Sequence, residues 1–257
     1  MTATELADLK RLIIDGAKSD ERSQQIALGP SEVGHPCLRK LALGLLHAPK
    51  INSYDDPLPS VIGTGAHSRV EAFAQRANDR LIAEGKPSRW LAEHRVTVRE
   101  GLAGTCDLYD MATNTVIDWK FPGTSRMDTY RRKGPSDTYR VQAHLYGRGY
   151  RNLGLPVEHV GICFIPRGGQ LKHAHLWTEP YDDTIVTNTL ARIDTVTALI
   201  WDLQLGEHPE RINDAVPATP DGCWVCPYQS RHPGPWQCMG GKDSDTTVSA
   251  PQGAFAL

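Results

Sequence analysis

The densest chemistry in this sequence lies in the stretch NTVIDWKFPG, residues 114 to 123. Val116 and Ile117 suit a strand, yet Asp118 and Lys120 put a carboxylate and an amine into the same short run. Burying a charge is costly unless the charge is paired or bound to a metal. Strand alternation places Val116, Asp118 and Lys120 on one face. Ile117, Trp119 and Phe121 fall on the other, the better core face. The preceding strand carries a second acid, Asp107. A hairpin turning between Ala112 and Thr113 pairs residues whose numbers sum to 225, so Asp107 and Asp118 oppose each other. Their Cβ atoms are then about 4.5–5.5 Å apart. With no Lys or Arg expected between them, a bridging divalent cation relieves the repulsion, and hard oxygen ligands suit Mg²⁺ or Mn²⁺. Lys120, one pair further along, is placed to hold a water or to stabilise charge developing on a phosphate. The plain reading of D-x-K alone is a solvated face with an Asp–Lys ion pair; the register with Asp107 brings the two readings level.

The elements that must hold these residues follow from patterning. Leu6, Leu9, Ile13 and Ile14 have helical spacing over 3–18, and a second helix is expected from about 36 to 46. The segment GTGAHSRVEAFAQRANDRLIAEG reads as a long helix with Ala66, Val70, Phe73, Ala77 and Leu81 as its apolar stripe, ended by Gly85. Strands follow at roughly 92–99, 103–110 and 115–121, joined by the short turns EG and MATN. A basic loop punctuated by Gly and Pro then leads to a helix capped by Ser136 or Asp137. Two strands, 157–166 and 170–178, flank the turn RGG, and a helix covers about 181–205. This order predicts an α/β sandwich, a central mixed sheet flanked by helices. The absence of G-x-G-x-x-G and Walker patterns speaks against nucleotide binding.

The G-T-x-D strand ending at Asp107 and the following Asp118-Trp119-Lys120 together resemble the PD-(D/E)XK nuclease superfamily. Two further matches narrow the resemblance to its RecB-like branch, which includes CRISPR-associated exonucleases, the AddB nuclease domain and phage exonucleases. GTGAH opens a helix upstream, where His67 matches the branch's metal-binding histidine, and QAHLY supplies Gln142 and Tyr146 of its Q-x-x-x-Y motif. The resemblance runs from about residue 31 to 238. It implies a restriction-endonuclease-like core and a Mg²⁺- or Mn²⁺-dependent DNA exonuclease. His67, Asp107, Asp118 and the Trp119 carbonyl would hold the metal, with Lys120, Gln142 and Tyr146 as further catalytic residues. Glu93, on the strand before Asp107, is an additional candidate acid. His67 and Glu71 share a helix face one turn apart, as do Gln142 and Tyr146. Recombination, repair or CRISPR-type protein partners are implied in the same way.

The six cysteines are too few for a disulfide scaffold in a chain of this size, and clustered ones suggest metal binding. Cys106 and Cys163 lie in apolar runs and read as core. Cys37 in SEVGHPCLRK and the CWVC pair Cys223 and Cys226 resemble the branch's iron–sulfur arrangement. The residues alone leave zinc and a [4Fe–4S] cluster level, and the resemblance favours the cluster, with zinc as the alternative. The last ligand departs from the branch's spacing. Cys238 is preferred over the nearer His232, since all-thiolate ligation is usual for such a cluster. The N- and C-terminal segments, about 31–47 and 221–238, would join at it. One nuclease domain, 1–238 with its core at about 60–205, would precede a disordered tail, 239–257.

The chain has 257 residues and a net charge of −2, so a nucleic-acid partner requires a local basic patch. Between Lys120 and Arg140 there are six Lys or Arg against two Asp. Arg126, Arg131, Arg132, Lys133 and Arg140 are placed there to track a phosphate backbone, and Tyr130 and Tyr139 to stack on bases. No base-reading motif accompanies them. The N-terminus lacks a signal-peptide core and no run is long enough to span a membrane, so a soluble, cytoplasmic protein is expected. Two rival readings keep the same residues without turnover: a nucleic-acid-binding or assembly subunit, and a zinc-stabilised interaction module.

Overall fold

The structure, a computed structural model, describes residues 3–19, 28–52, 56–220, 222–232 and 234–240. Their helices are α1 (Ala3–Lys18), α2 (Pro30–Val33), α3 (Leu38–Leu45), α4 (Leu58–Ala83), α5 (Thr124–Lys133), α6 (Asp137–Asn152), α7 (Asp183–Asp202) and α8 (Ile212–Ala215). The strands are β1 (Trp90–Arg99), β2 (Leu102–Asp110), β3 (Thr115–Lys120), β4 (His159–Phe164) and β5 (His175–Pro180). Two compact units result. One comprises residues 29–34 and 57–190, and the other the remaining described residues. No helix among the described residues is long and apolar enough to cross a membrane.

The first unit is built on a five-stranded mixed sheet in the order β1-β2-β3-β4-β5, flanked by helices as expected. β3 and β4 run parallel, because α5 and α6 carry the chain back between them; the other neighbours are antiparallel. α6 covers the sheet with Ala143, Tyr146 and Tyr150 against Tyr109, Val116, Val160 and Ile162. Its close approach requires glycine: a Cβ at Gly149 would lie 2.6 Å from the Cβ of Val96. Polar locks hold the same helix. His144 lies 2.6 Å from Glu179 through Nε2 and accepts the Asp182 N–H at Nδ1, so its proton sits on Nε2. Ser136 caps α6 by accepting the Tyr139 N–H, as its type and place suggest.

Several local expectations are corrected. The core face of β3 is the one bearing Val116 and Asp118, which are 0% and 1% exposed, while Ile117 and Trp119 are half-buried. α6 lies over the acidic face, so β3 spends its most covered positions on a carboxylate. The basic segment after β3 is the helix α5 rather than a loop, because Gly123 and Gly134 bound it instead of interrupting it. α4 starts earlier than expected, and its Phe73 is 50% exposed with Arg69 and Arg76 over its ring, leaving it outside the apolar stripe. β5 begins five residues later than the expected 170, since Leu171–His173 forms a turn of 3₁₀ helix. The tail from residue 241 lies outside the described residues.

In the second unit Cys37 caps α3 and accepts the Lys40 N–H at its sulfur. The segment 222–240 folds back on itself where Gln229 pairs with Cys238. Leu6, Leu9 and Ile13 of α1 are exposed.

Candidate metal centre and active site

The β2–β3 hairpin has the expected register: Leu108 faces Ile117, Tyr109 faces Val116 and Asp110 faces Thr115. The ladder stops one pair short of Asp107 and Asp118, and Asp107 is also missing from the β1–β2 pairing. In place of a ladder partner, Asp107 accepts the Trp119 N–H at Oδ2, 2.7 Å away. Its other oxygen lies 3.2 Å from His67 Nδ1. On β1 the residue across from it, Glu93, has φ +46°, a left-handed backbone that glutamate adopts only at a cost. His67, Glu93 and Asp107 thereby bring three ligand atoms within 4.8 Å of one another. Phe121 meets the His67 ring edge-on at 5.2 Å and helps fix its plane.

Asp118 sits beside this triple and is bound to Lys120, whose Nζ contacts Asp118 Oδ2. Lys120, expected one pair further along the same face, thus turns back onto one of the two acids. Lys120 also donates to Gln142 Oε1 at 3.2 Å, and Gln142 Nε2 donates to the Tyr146 hydroxyl at 3.4 Å. Gln142 and Tyr146 are therefore joined to the centre through the lysine. The Tyr139 ring lies 4.7 Å from the ammonium, a cation–π cover. Tyr139, Gln142 and Tyr146 follow at i, i+3 and i+7 on α6, the spacing that could have signalled this role from the sequence. Glu71 is exposed on α4 and does not join the centre.

The electrostatics of the centre have one direction. Burial pushes Asp118 up to about 6 despite the opposing pull of Lys120, with Asp107 adding to the rise. For Lys120, burial opposes the charge, but Asp118 and Asp107 outweigh it and raise the pKa. His67 behaves likewise: burial lowers its pKa, and Asp107 and Asp118 more than reverse this. Asp118, Lys120 and His67 all hold their protons more tightly than in water, and Asp107 contributes to each rise.

Arg126, Arg131, Arg132 and Lys133 are exposed on α5. Arg131 is tethered to Asp128 and to the His173 carbonyl. Arg140 lies on α6 and is bonded to Glu179 at 2.5 Å. Tyr130 stacks on Phe164 with ring centroids 4.1 Å apart, so it serves the core.

All six cysteines are free thiols. Cys37, Cys226 and Cys238 are buried; Cys223 is half-buried and donates to the Thr219 carbonyl at 3.4 Å. Burial pushes the Cys226 thiol up, and Cys238 and Cys37 are close enough to add to it. His232 is exposed. Cys106 is fully buried, whereas Cys163 is only half-buried.

No family model and no curated protein sequence matches this chain. Three solved structures resemble its fold. The alkaline exonuclease LHK-Exo from Laribacter hongkongensis is 13% identical with a TM-score of 0.47, over 74% of this chain and 94% of that one. The same protein in complex with dAMP gives 14% and 0.48 over the same shares. A phage-related exonuclease from Haemophilus somnus 129PT gives 14% and 0.41, over 57% of this chain and 74% of that one. These likenesses are weak. The functional reading rests on the site itself.

Proposed function

We propose that the protein is a metal-dependent deoxyribonuclease, an exonuclease acting on DNA ends or single strands. The observation that carries this is the convergence of His67, Glu93 and Asp107 on one point, with Asp118 and Lys120 beside it. A surface that only bound a polyanion would gain nothing from gathering three carboxylates; a site that places a divalent cation against a phosphate needs them. His67, Glu93 and Asp107 fit such an ion by type and mutual distance, and Asp118 adjoins them. Bound Mg²⁺ or Mn²⁺ supplies Lewis acidity toward a phosphate oxygen and lowers the pKa of a water.

The chain's own residues do the rest. Lys120 stays charged between Asp118 and Gln142, with Nζ available to stabilise developing phosphate charge or to orient water. Gln142, braced by Tyr146, sets the direction of that ammonium, and Tyr139 shields it. The Trp119 N–H fixes the Asp107 carboxylate. The exposed cations of α5 suit a phosphate backbone without reading sequence.

Cys37, Cys223, Cys226 and Cys238 are assigned to a structural [4Fe–4S] cluster, with zinc as the alternative. Cys238 and Cys37 lie close enough to Cys226 to add to the rise that burial gives its thiol, so three of the four thiols share one neighbourhood. End-labelled single- and double-stranded DNA, incubated with Mg²⁺, Mn²⁺ or EDTA, tests the activity. Label should be lost progressively with either metal and retained in EDTA. Degradation in EDTA, or intact DNA throughout, overturns the proposal.

A further inference from the structure

In the second unit Arg39 is a buried cation with no anion beside it among the described residues. Arg39 is 6% exposed, and all three nitrogens of its fork are engaged. Nε donates to the Val216 carbonyl at 2.8 Å, and Nη2 to the Asn213 carbonyl at 2.7 Å. Nη1 reaches Asn213 Oδ1 at 2.9 Å, the Gly240 carbonyl at 3.2 Å and Cys238 Sγ at 3.5 Å. None of these acceptors is a carboxylate. Neutral oxygens solvate a guanidinium without cancelling its charge, and a guanidinium cannot shed its proton to escape burial. An uncompensated buried charge of this kind is strongly destabilising.

One acceptor differs from the others. Among the described residues, Cys238 Sγ is the one atom touching the fork that can itself become negative, and it also receives the Gly240 N–H at 3.3 Å. Cys37 Sγ accepts the Lys40 N–H at 3.5 Å. Two sulfurs of one neighbourhood thus receive N–H donors, the arrangement that stabilises metal-bound thiolates. Four thiolates around either an iron–sulfur core or zinc leave net negative charge.

We infer that Arg39 is the positioning residue and counter-charge of an anionic, cysteine-ligated metal centre, and that its bond to Sγ selects Cys238 as a ligand. This inference rests on the cluster assignment above and adds to it a reason for a cation to be buried there. It also explains why Cys238, and not the exposed His232, completes the ligand set.

The test compares wild-type, Arg39→Gln and Arg39→Lys proteins purified without oxygen. Three quantities are measured: the midpoint potential of the centre, the rate of iron loss to a chelator, and the thermal stability after stripping. Arg39→Gln should lower the potential, since a positive charge near the sulfurs favours the reduced state, and should speed iron loss about 10–100-fold. Stripped of metal, the same variant should melt above stripped wild type, because the unpaired charge is gone. Arg39→Lys keeps the charge and should keep the potential near wild type; a clear fall there overturns the counter-charge role even if Arg39→Gln does not accumulate. Wild-type potential and iron-loss rate in Arg39→Gln also overturn it. Wild-type protein carrying zinc would sink the iron–sulfur assignment alone, and zinc release to EDTA would then be read in place of iron loss. Wild-type protein with neither metal overturns both the assignment and the inference.

Discussion

The sheet-borne centre and the cysteine region bury charge of opposite sign, and they stabilise it differently. Around Asp107 and Asp118 negative charge is in excess: Lys120 offsets part of it, and burial still pushes Asp118 up to about 6. Around Cys238 positive charge is in excess, with the Arg39 fork spread over carbonyl oxygens and one sulfur. The acids sit where strand pairing lapses, at Asp107 and at a Glu93 of positive φ, so backbone regularity is given up to aim them. The arginine sits in the first turn of a helix and keeps regular geometry. The proposed divalent cation in one case, and the proposed anionic metal–thiolate centre in the other, would each supply charge of the opposite sign.

The comparison can be broken at either end, and most severely at the acids. Asp107→Ala and Lys120→Ala should each lower DNA degradation by about 10²-fold or more while leaving DNA binding and folding largely intact. A Lys120→Ala protein degrading DNA at the wild-type rate would remove the lysine from the chemistry. Next in size is the cysteine end. Cys238→Ala should lose the brown colour expected of the proposed cluster and much of the stability, since that cluster would join the segments around Cys37 and Cys226; His232→Ala should keep both. Iron loss confined to the His232 variant would reverse that assignment.

A pH experiment sharpens the contrast. The folded chain holds the Asp118 proton more tightly than the unfolded chain does. The stability this group contributes is therefore fully present below the unfolded carboxylate range and is lost as pH rises through about 6. In metal-free protein, wild type minus Asp118→Asn should fall in stability across that window by on the order of 2 kcal/mol, and added Mn²⁺ should restore wild type alone. A difference that is flat with pH would mean that Lys120 already compensates the carboxylate. The smallest effect is expected on α5. Replacing Arg131, Arg132 and Lys133 together should weaken binding to all sequences alike and flatten its salt dependence by up to about three units of slope. Unchanged affinity and slope would make α5 a solvated surface.

Much of the acidic site was legible because hairpin arithmetic is local: a short turn fixes the register, and the observed pairs of β2 and β3 obey it. His67, Gln142 and Tyr146 were placed by motif and are brought to the same centre. Other features depend on tertiary contacts that no local pattern encodes. The choice of buried face on β3 is made by α6, which overrides the apolar preference of Ile117 and Trp119. Lys120 turns onto Asp118 only because Gln142 and Tyr139 close it in from α6. The bonds of Arg39 span more than 170 residues of chain, beyond the reach of any periodicity. α5 was missed for a local reason, since its bounding glycines look the same in sequence whether they end a helix or break one.

The central claim is that His67, Glu93 and Asp107 converge to hold a divalent cation. Titrating Mn²⁺ into metal-free protein while following the free-ion signal by electron paramagnetic resonance tests it most directly. Wild type should remove the free signal stoichiometrically, and Glu93→Gln and Asp107→Asn should bind far more weakly, in step with their loss of DNA degradation. Wild-type protein that leaves the free Mn²⁺ signal untouched, yet degrades DNA in EDTA, would contradict the account.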